Sequence, residues 1–250
     1  MTNALIEEMV RSARERARTL PPRDLPAHAS KTSFIEALRG KSRLDVIAEF
    51  KRASPSLGDI AERHVEAQVL RYEGAGAAAL SVLTEPSRFN GSLSDLGLAV
   101  RAVDVPVLMK DFVVDPAQVR EAAYLGARAV LLIVRCLSHA ELVELASLCT
   151  ELGLTPLVEC HTEVEVERAL DISDAVLGVN NRDLESLEID GSLAPRLLAG
   201  IPQTRVVVAE SGYETPSEVA ALRGLADAVL VGSALMKLDD PSDLIREMRA

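Results

Sequence analysis

Positive charge is scarce in this chain: 27 Lys and Arg stand against 38 Asp and Glu, a formal net charge of −11. So acidic a protein does not suit general nucleic-acid binding, and an anionic ligand must be met by local cations. Cysteine is scarce too. Cys136, Cys149 and Cys160 are odd in number and lack metal-ligand spacing, as do His28, His64, His139 and His161. A disulfide framework and a metal centre are therefore not expected. Long apolar runs are absent: the longest, Ala127–Val134, is interrupted by Arg128 and falls far short of a bilayer. No secretory signal opens the chain, because Met1–Thr19 mixes Glu7, Glu8 and Glu15 with arginines. These absences predict a cytoplasmic, reducing location with no membrane partner. The chain's end at residue 250 also gives the expectation of no fused second enzyme.

What is present is ordinary in bulk, with 48% apolar and 26% charged residues, and 250 residues can bury a large core. The organising stretch is Leu44–Gly58. Val46, Ala48 and Phe50 alternate with Ile47, Glu49 and Lys51, so Glu49 and Lys51 share one face of a strand. Ser54-Pro55-Ser56 and Gly58 then turn the strand into a loop. Two charges on an apolar strand are costly unless they pair or face a wet cavity.

From residue 44 onward, apolar runs recur at 44–50, 78–83, 105–110, 128–134, 154–159, 175–180, 205–210 and 227–232. Helical stretches lie between them and carry explicit start signals. Asp115-Pro116, Ser138 with Glu141, Thr162 with Glu165, Thr215-Pro216 with Glu218 and Asp240-Pro241 mark helix N-termini, and Gly126 marks a C-terminus. Eight strand–helix units over roughly 200 residues predict a (β/α)8 barrel. An open doubly wound sheet is the alternative, but no Gly-x-Gly-x-x-Gly follows the first run. Ahead of the barrel, 3–18 reads as an amphipathic helix stopped by Leu20-Pro21-Pro22, and Ser33–Leu38 reads as a second helix. The expected organisation is one barrel domain over 1–250, with 1–43 a helical leader that forms either an appendage or a lid.

In such a barrel the C-terminal strand ends build the site. Those ends carry Glu49 and Lys51, then Lys110 with Phe112, then Glu159, then Asn180 with Arg182, then Glu210. Each continues the parity of an apolar inward face. One such residue is ordinarily a solvated strand end, whereas five converging strands predict a shared polar cavity suited to acid–base work. Ser211-Gly212 and Gly232-Ser233 follow the last two strands, where barrels commonly bind phosphate through backbone N–H groups. Phe89, in the loop after the second strand, either packs structurally or lines an aromatic pocket with Phe112. Cys160, on the face opposite Glu159, is expected to pack against a helix.

Six segments together resemble indole-3-glycerol phosphate synthases, enzymes of tryptophan biosynthesis. They are Ile47-Ala-Glu-Phe-Lys-Arg-Ala-Ser-Pro-Ser56, Leu108-Met-Lys-Asp-Phe112, Leu157-Val-Glu159, Gly178-Val-Asn-Asn-Arg-Asp-Leu184, Ala209-Glu-Ser-Gly212 and Val231-Gly-Ser233. Leu57 departs from the family, many of whose members have Lys there, and the effect is expected in the loop rather than the chemistry. The resemblance implies ring closure, decarboxylation and dehydration of 1-(2-carboxyphenylamino)-1-deoxyribulose 5-phosphate. It implies Lys110 as general acid, Lys51 holding the substrate carboxylate, and Glu159 as base. Glu49 and Asn180 would orient these groups, Glu210 would contact the sugar chain, and Arg182 would support the polar wall. Ser54, Ser211, Gly212, Gly232 and Ser233 would receive the phosphate, and Ser56 would also touch the substrate. Pro55, Phe89, Phe112, Leu131, Leu184 and Leu230 would enclose the aromatic ring. No cofactor or metal is implied, the partner is a small phosphorylated substrate, and the chain is expected as a monomer or weak homodimer.

Two other readings stay open on the residues alone. A Schiff-base aldolase would use Lys51 or Lys110 as nucleophile. A barrel that only binds a phosphorylated metabolite would need the Gly/Ser loops but not the converging Lys and Glu.

Overall fold

A computed structural model describes residues 4–23, 32–39 and 44–249. Eight parallel strands close into a barrel: β1 (Asp45–Phe50), β2 (Ala79–Leu83), β3 (Val107–Lys110), β4 (Ala129–Ile133), β5 (Thr155–Cys160), β6 (Val176–Asn180), β7 (Val207–Glu210) and β8 (Ala228–Val231). Neighbours in sequence are neighbours in space, and β8 pairs with β1 through Ile47 opposite Leu230. The expected (β/α)8 barrel is what the chain forms. The strands are mostly a residue or two shorter than their apolar runs, because the flanking residues turn into helices and loops; Val134 already belongs to a 3-10 turn.

Strand parity separates two cores. Ile47, Ala79, Leu108, Leu131, Leu157, Val176, Val208, Ala228 and Leu230 point inward and fill the lumen. Val46, Ala48, Phe50, Leu80, Val82, Met109, Val130, Leu132 and Val158 point outward, beneath a sleeve of helices. Both faces of every strand are buried, so the strands read as continuous apolar runs.

The helix starts follow the sequence signals. Asp115 Oδ1 accepts the Ala117 N–H, and Ser138–Glu141 and Thr215–Glu218 form full capping boxes. Thr162 caps Glu165, but the Glu165 carboxylate turns outward, to the His161 N–H and Arg135. Gly126 closes its helix at φ 87°, a left-handed conformation cheap only for glycine.

The leader has two roles. Its first helix (Ala4–Ala17) runs along the rim, burying Met9, Ala13 and Ala17, and stops with turn bonds into Thr19 and Leu20. Its second helix (Phe34–Leu38), boxed by Ser33 and Glu36, inserts Phe34 and Leu38 into the lumen cluster with Ala78, Val176, Val206 and Ala228. These are strand-start residues, so this helix closes the barrel's floor. Five residues cannot hold a helix alone. Burying Phe34 and Leu38, at about 1.5–3 kcal/mol each, stabilises it. The linker past Arg23 and His28 lie outside the described residues.

Candidate active site

At the opposite, C-terminal end of the strands the lumen opens into a cavity of about 320 Å³. The inward parity that carries Leu and Val lower down carries charge here. Lys110, ending β3, directs Nζ to Glu210 Oε2 at 2.8 Å and to Glu159 Oε2 at 3.2 Å. Across the mouth, Lys51 Nζ meets Glu49 Oε1 at 2.8 Å. Glu49, Glu159 and Glu210 are buried, yet Oε1 of both Glu159 and Glu210 has no hydrogen bond within the protein.

Small residues make this crowding possible. A Cβ at Gly178 would come 2.2 Å from Glu210 Oε1, and one at Gly232 would come 2.3 Å from Glu49 Oε1. A methyl group at either position would displace a carboxylate.

Electrostatics separates the two central carboxyls. Burial pushes Glu210 up, and neighbouring Glu159 adds to this, so that it titrates at about 8 despite Lys110. Burial acts on Glu159 in the same direction but is outweighed by Lys110, His161 and Asn180, which hold it at about 2. Burial would depress Lys110, but Glu210, Glu159 and Glu49 override it and raise its pKa well above the usual ammonium range. Of these two interacting carboxyls, Glu210 is thus the one driven toward its protonated form and Glu159 the one held toward its ionised form.

Loops frame the charges. After β1, a two-residue hairpin (Ala53–Ser54 with Gly58–Asp59) folds over, and Arg52 pins it to Asp95. After β6, Asn180 Oδ1 accepts the Arg182 N–H, and the Arg182 guanidinium donates to the Leu187 carbonyl at 2.8 Å. Asn181 Nδ2 donates to the Ser211 carbonyl and to the Tyr213 hydroxyl, tying this loop to the next. After β7, Ser211 and Gly212 take φ 65° and 86° in succession. After β8, Gly232 caps the short helix Ser233–Met236, whose first residues line the cavity and whose first N–H groups lack intrahelical acceptors.

The cavity gathers nearly all of the residues expected from the sequence. Glu49, Lys51, Ser54, Ser56, Lys110, Glu159, Asn180, Arg182, Glu210, Ser211, Gly212, Gly232 and Ser233 line it, as do Phe89, Phe112, Leu131, Leu184 and Leu230. Pro55, half-buried at the tip of the hairpin, is not among the lining residues. Leu57 does, with half its surface exposed.

Several lining residues were not anticipated. Leu83 and Ile133 extend the apolar wall, as their strand parity implies, and Ile189 and Tyr213 reach in from loops. Glu85 is wholly buried as the N-cap of Pro86–Phe89. Asp111, between Lys110 and Phe112, takes a bidentate bond from Arg16 of the leader at 2.7 and 2.9 Å, and also the Thr84 hydroxyl. Its place next to Lys110 was the one available signal. None of the leader's described residues lines the cavity. Among the described residues no group of three or more His, Cys, Asp and Glu side chains is arranged to hold a metal ion.

Comparison with known proteins adds a family. A family model described as indole-3-glycerol phosphate synthase matches residues 6–248. An indole-3-glycerol phosphate synthase of Leifsonia xyli is 44% identical over 100% of this chain and 96% of its own length. One from Mycobacteroides abscessus is 48% identical over 88% of this chain and 82% of its own length. Among solved structures, a thiamine phosphate pyrophosphorylase from Pyrococcus furiosus superposes with TM-score 0.62 at 16% identity, over 82% of this chain and 93% of that one. A phosphoribosylanthranilate isomerase from Thermotoga maritima gives 0.57 at 18% identity, over 82% and 96%. These two share the fold alone.

Proposed function

This chain belongs to the indole-3-glycerol phosphate synthase family, and we propose that its barrel mouth closes the indole ring by acid–base chemistry carried by Lys110 and Glu159. The enzyme is a carboxy-lyase of tryptophan biosynthesis, acting on 1-(2-carboxyphenylamino)-1-deoxyribulose 5-phosphate.

The observation that carries the residue assignment is Lys110 Nζ seated between Glu159 and Glu210. Lys110 donates a proton to the ketone oxygen as the ring carbon bearing the carboxylate attacks. Lys110 holds that proton tightly, because two carboxyls surround it. Sugar hydroxyls that take over contacts to Glu210 weaken this hold and bring the ammonium toward useful acidity. Lys51, braced by Glu49, holds the substrate carboxylate until CO₂ leaves, and it shares in proton delivery. Loss of CO₂ restores the benzene ring, and loss of water, with Lys51 protonating the departing hydroxyl, completes the indole. Glu159, ionised down to about pH 2, is available to take the ring-amine proton.

The phosphate end is assigned to the backbone N–H groups of Gly212, Gly232 and Ser233, with the hydroxyls of Ser54, Ser56, Ser211 and Ser233. Phe89, Phe112, Leu131, Leu184 and Leu230 enclose the aromatic ring, and Arg182 stiffens the wall beside it. No metal or cofactor enters this scheme; the two lysines supply the electrophilic help. Every group it needs comes from one chain, which favours a monomer or weak homodimer with no nucleic-acid partner. No described helix is long and apolar enough to cross a membrane, and we infer a cytoplasmic enzyme whose residues 1–250 act as one domain.

A Schiff-base lysine must shed its proton, and the carboxyls around Lys110 oppose this. The deciding experiment is an indole-fluorescence assay of the purified chain with the carboxyphenylamino-deoxyribulose phosphate. Turnover is expected, and it should be abolished by 1-(2-carboxyphenylamino)-1-deoxyribitol phosphate, which lacks the ketone. A folded chain without turnover would overturn the reading.

A further inference from the structure

His161 follows directly on β5, and its side chain is only 2% exposed. A buried imidazole needs partners; neither ring nitrogen makes a hydrogen bond among the described residues, and the polar groups nearest them are both carboxylates. Nε2 stands 3.4 Å from Glu159 Oε1, the oxygen that Lys110 does not use. Nδ1 stands 3.4 Å from Glu165 Oε2, the same oxygen that accepts the His161 N–H at 2.7 Å. Glu165 is fixed in turn by Arg135 Nε at 3.1 Å, and Arg135 also reaches Asp183. A continuous row of polar side chains therefore runs from Lys110 through Glu159, His161 and Glu165 to Arg135. On its outer side His161 borders a second cavity of about 270 Å³, shared with Asn181, Asp183, Glu188 and Asp190.

We propose that His161 is a positioning residue for Glu159. It holds the carboxylate from the side away from the substrate and is itself oriented by Glu165. The inference rests on the reading of Glu159 as the base. Held from the cavity side by Lys110 and Asn180, Glu159 loses the stronger of these contacts once Lys110 turns to the substrate. The imidazole 3.4 Å from Oε1 then limits rotation of the carboxylate and stands ready to donate an N–H to that oxygen as the carboxylate swings toward the ring amine. It also keeps the carboxylate ionised while Lys110 gives up its positive charge. The same imidazole contributes to the depressed pKa of Glu159. The charged groups around this pair are Lys110 from β3, Glu210 from β7 through Lys110, Glu165 from the helix after β5, and Arg135 from the turn after β4. Arg135 sits behind Glu165 and does not reach Glu159, so His161 supplies the outer contact.

The test compares His161→Leu and His161→Gln with the unaltered chain, in the indole assay across pH. His161→Leu should lower kcat on the order of tenfold through misorientation of the base, with KM held within about twofold. The acid limb of the kcat profile should move up in pH, because a carboxylate that loses a donor gains proton affinity. His161→Gln, which restores an N–H, should recover most of kcat and return the limb. A folded His161→Leu chain with unaltered kcat and limb overturns the proposal. So does a loss of kcat with an unmoved limb and no recovery in Gln, which would mark His161 as packing alone. If His161→Leu does not fold, Glu165→Gln carries the test: the limb should move in the same direction by less, and an unmoved limb overturns the proposal. Glu159→Gln, assayed in parallel, separates the two readings. Full activity there removes Glu159 as base, whereas an inactive Glu159→Gln beside a fully active His161→Leu removes only the role of His161.

Discussion

The barrel's two ends both bury charge, and they complete it differently. At the floor, Asp45 is wholly buried and meets Arg249 of the last helix at 3.0 Å. Arg205 spends its guanidinium on the carbonyls of Leu170, Ile172 and Ala175, and Asp227 accepts the Val207 N–H at 2.8 Å. At the mouth, Glu159 and Glu210 each keep a carboxylate oxygen that the protein leaves unbonded. Such a group costs about 1–3 kcal/mol, more when charged. The floor's charges meet backbone groups and one ion pair to Arg249, whereas the mouth's charges meet one another across an open cavity. Floor charges therefore bear on stability, and mouth charges bear on turnover at some expense to stability.

The sharpest way to break this contrast is at Lys110. Lys110→Ala should cost a hundredfold or more in kcat; turnover like that of the unaltered chain would sink its assignment as general acid. Next comes Glu159→Gln, which should strike the last stage. A single-turnover experiment should then show a decarboxylated intermediate accumulating, and an unchanged time course would remove Glu159 as base. The floor should behave in the opposite sense. Arg249→Met removes an ion pair made to the buried Asp45 and should lower unfolding free energy by ~3 kcal/mol, with kcat untouched. A fall in kcat of a folded variant would dissolve the distinction between the ends.

The smallest effect is the most diagnostic. Glu210 titrates at about 8 when folded, above its ordinary carboxyl value of 4.5. A group whose pKa is raised by folding contributes stability in full below the unfolded value and loses it as pH climbs through the folded one. The chain should therefore lose stability between those two values, and Glu210→Gln should flatten the loss. Melting curves should show the variant gaining Tm relative to the parent as pH rises toward 8. A Tm difference independent of pH would mean that Glu210 is not the carboxyl driven toward its protonated form.

How much of this could be read from the letters follows from what each signal reports. Strand beats and helix caps are local, so Asp115-Pro116, Ser138–Glu141 and Gly126 placed their elements within a residue or two. Parity along a strand survives folding, so Glu49, Lys110, Glu159 and Glu210 arrived together in one cavity. Loops have no such period. Pro55 was assigned to the ring pocket from its place in a motif, and it sits at the tip of a two-residue hairpin, outside the cavity lining. Contacts distant in sequence were also invisible: Arg16 grips Asp111 across 95 residues, and nothing near either announces it. His161 shows the same blindness in reverse. It was set aside for lacking metal-like spacing, while its partners Glu159 and Glu165 stood two and four residues away.

The two glycines beneath the carboxylates have a consequence for heredity. A Gly178→Ala or Gly232→Ala change brings in one methyl group and no charge. It leaves every acid and base of the mouth in the sequence, yet sets a carbon where an oxygen of Glu210 or Glu49 must lie. A gene copy silenced in this way would still display the full complement of acids and lysines. The integrity of a lineage's enzyme is thus written as much in two residues that do no chemistry as in those that do.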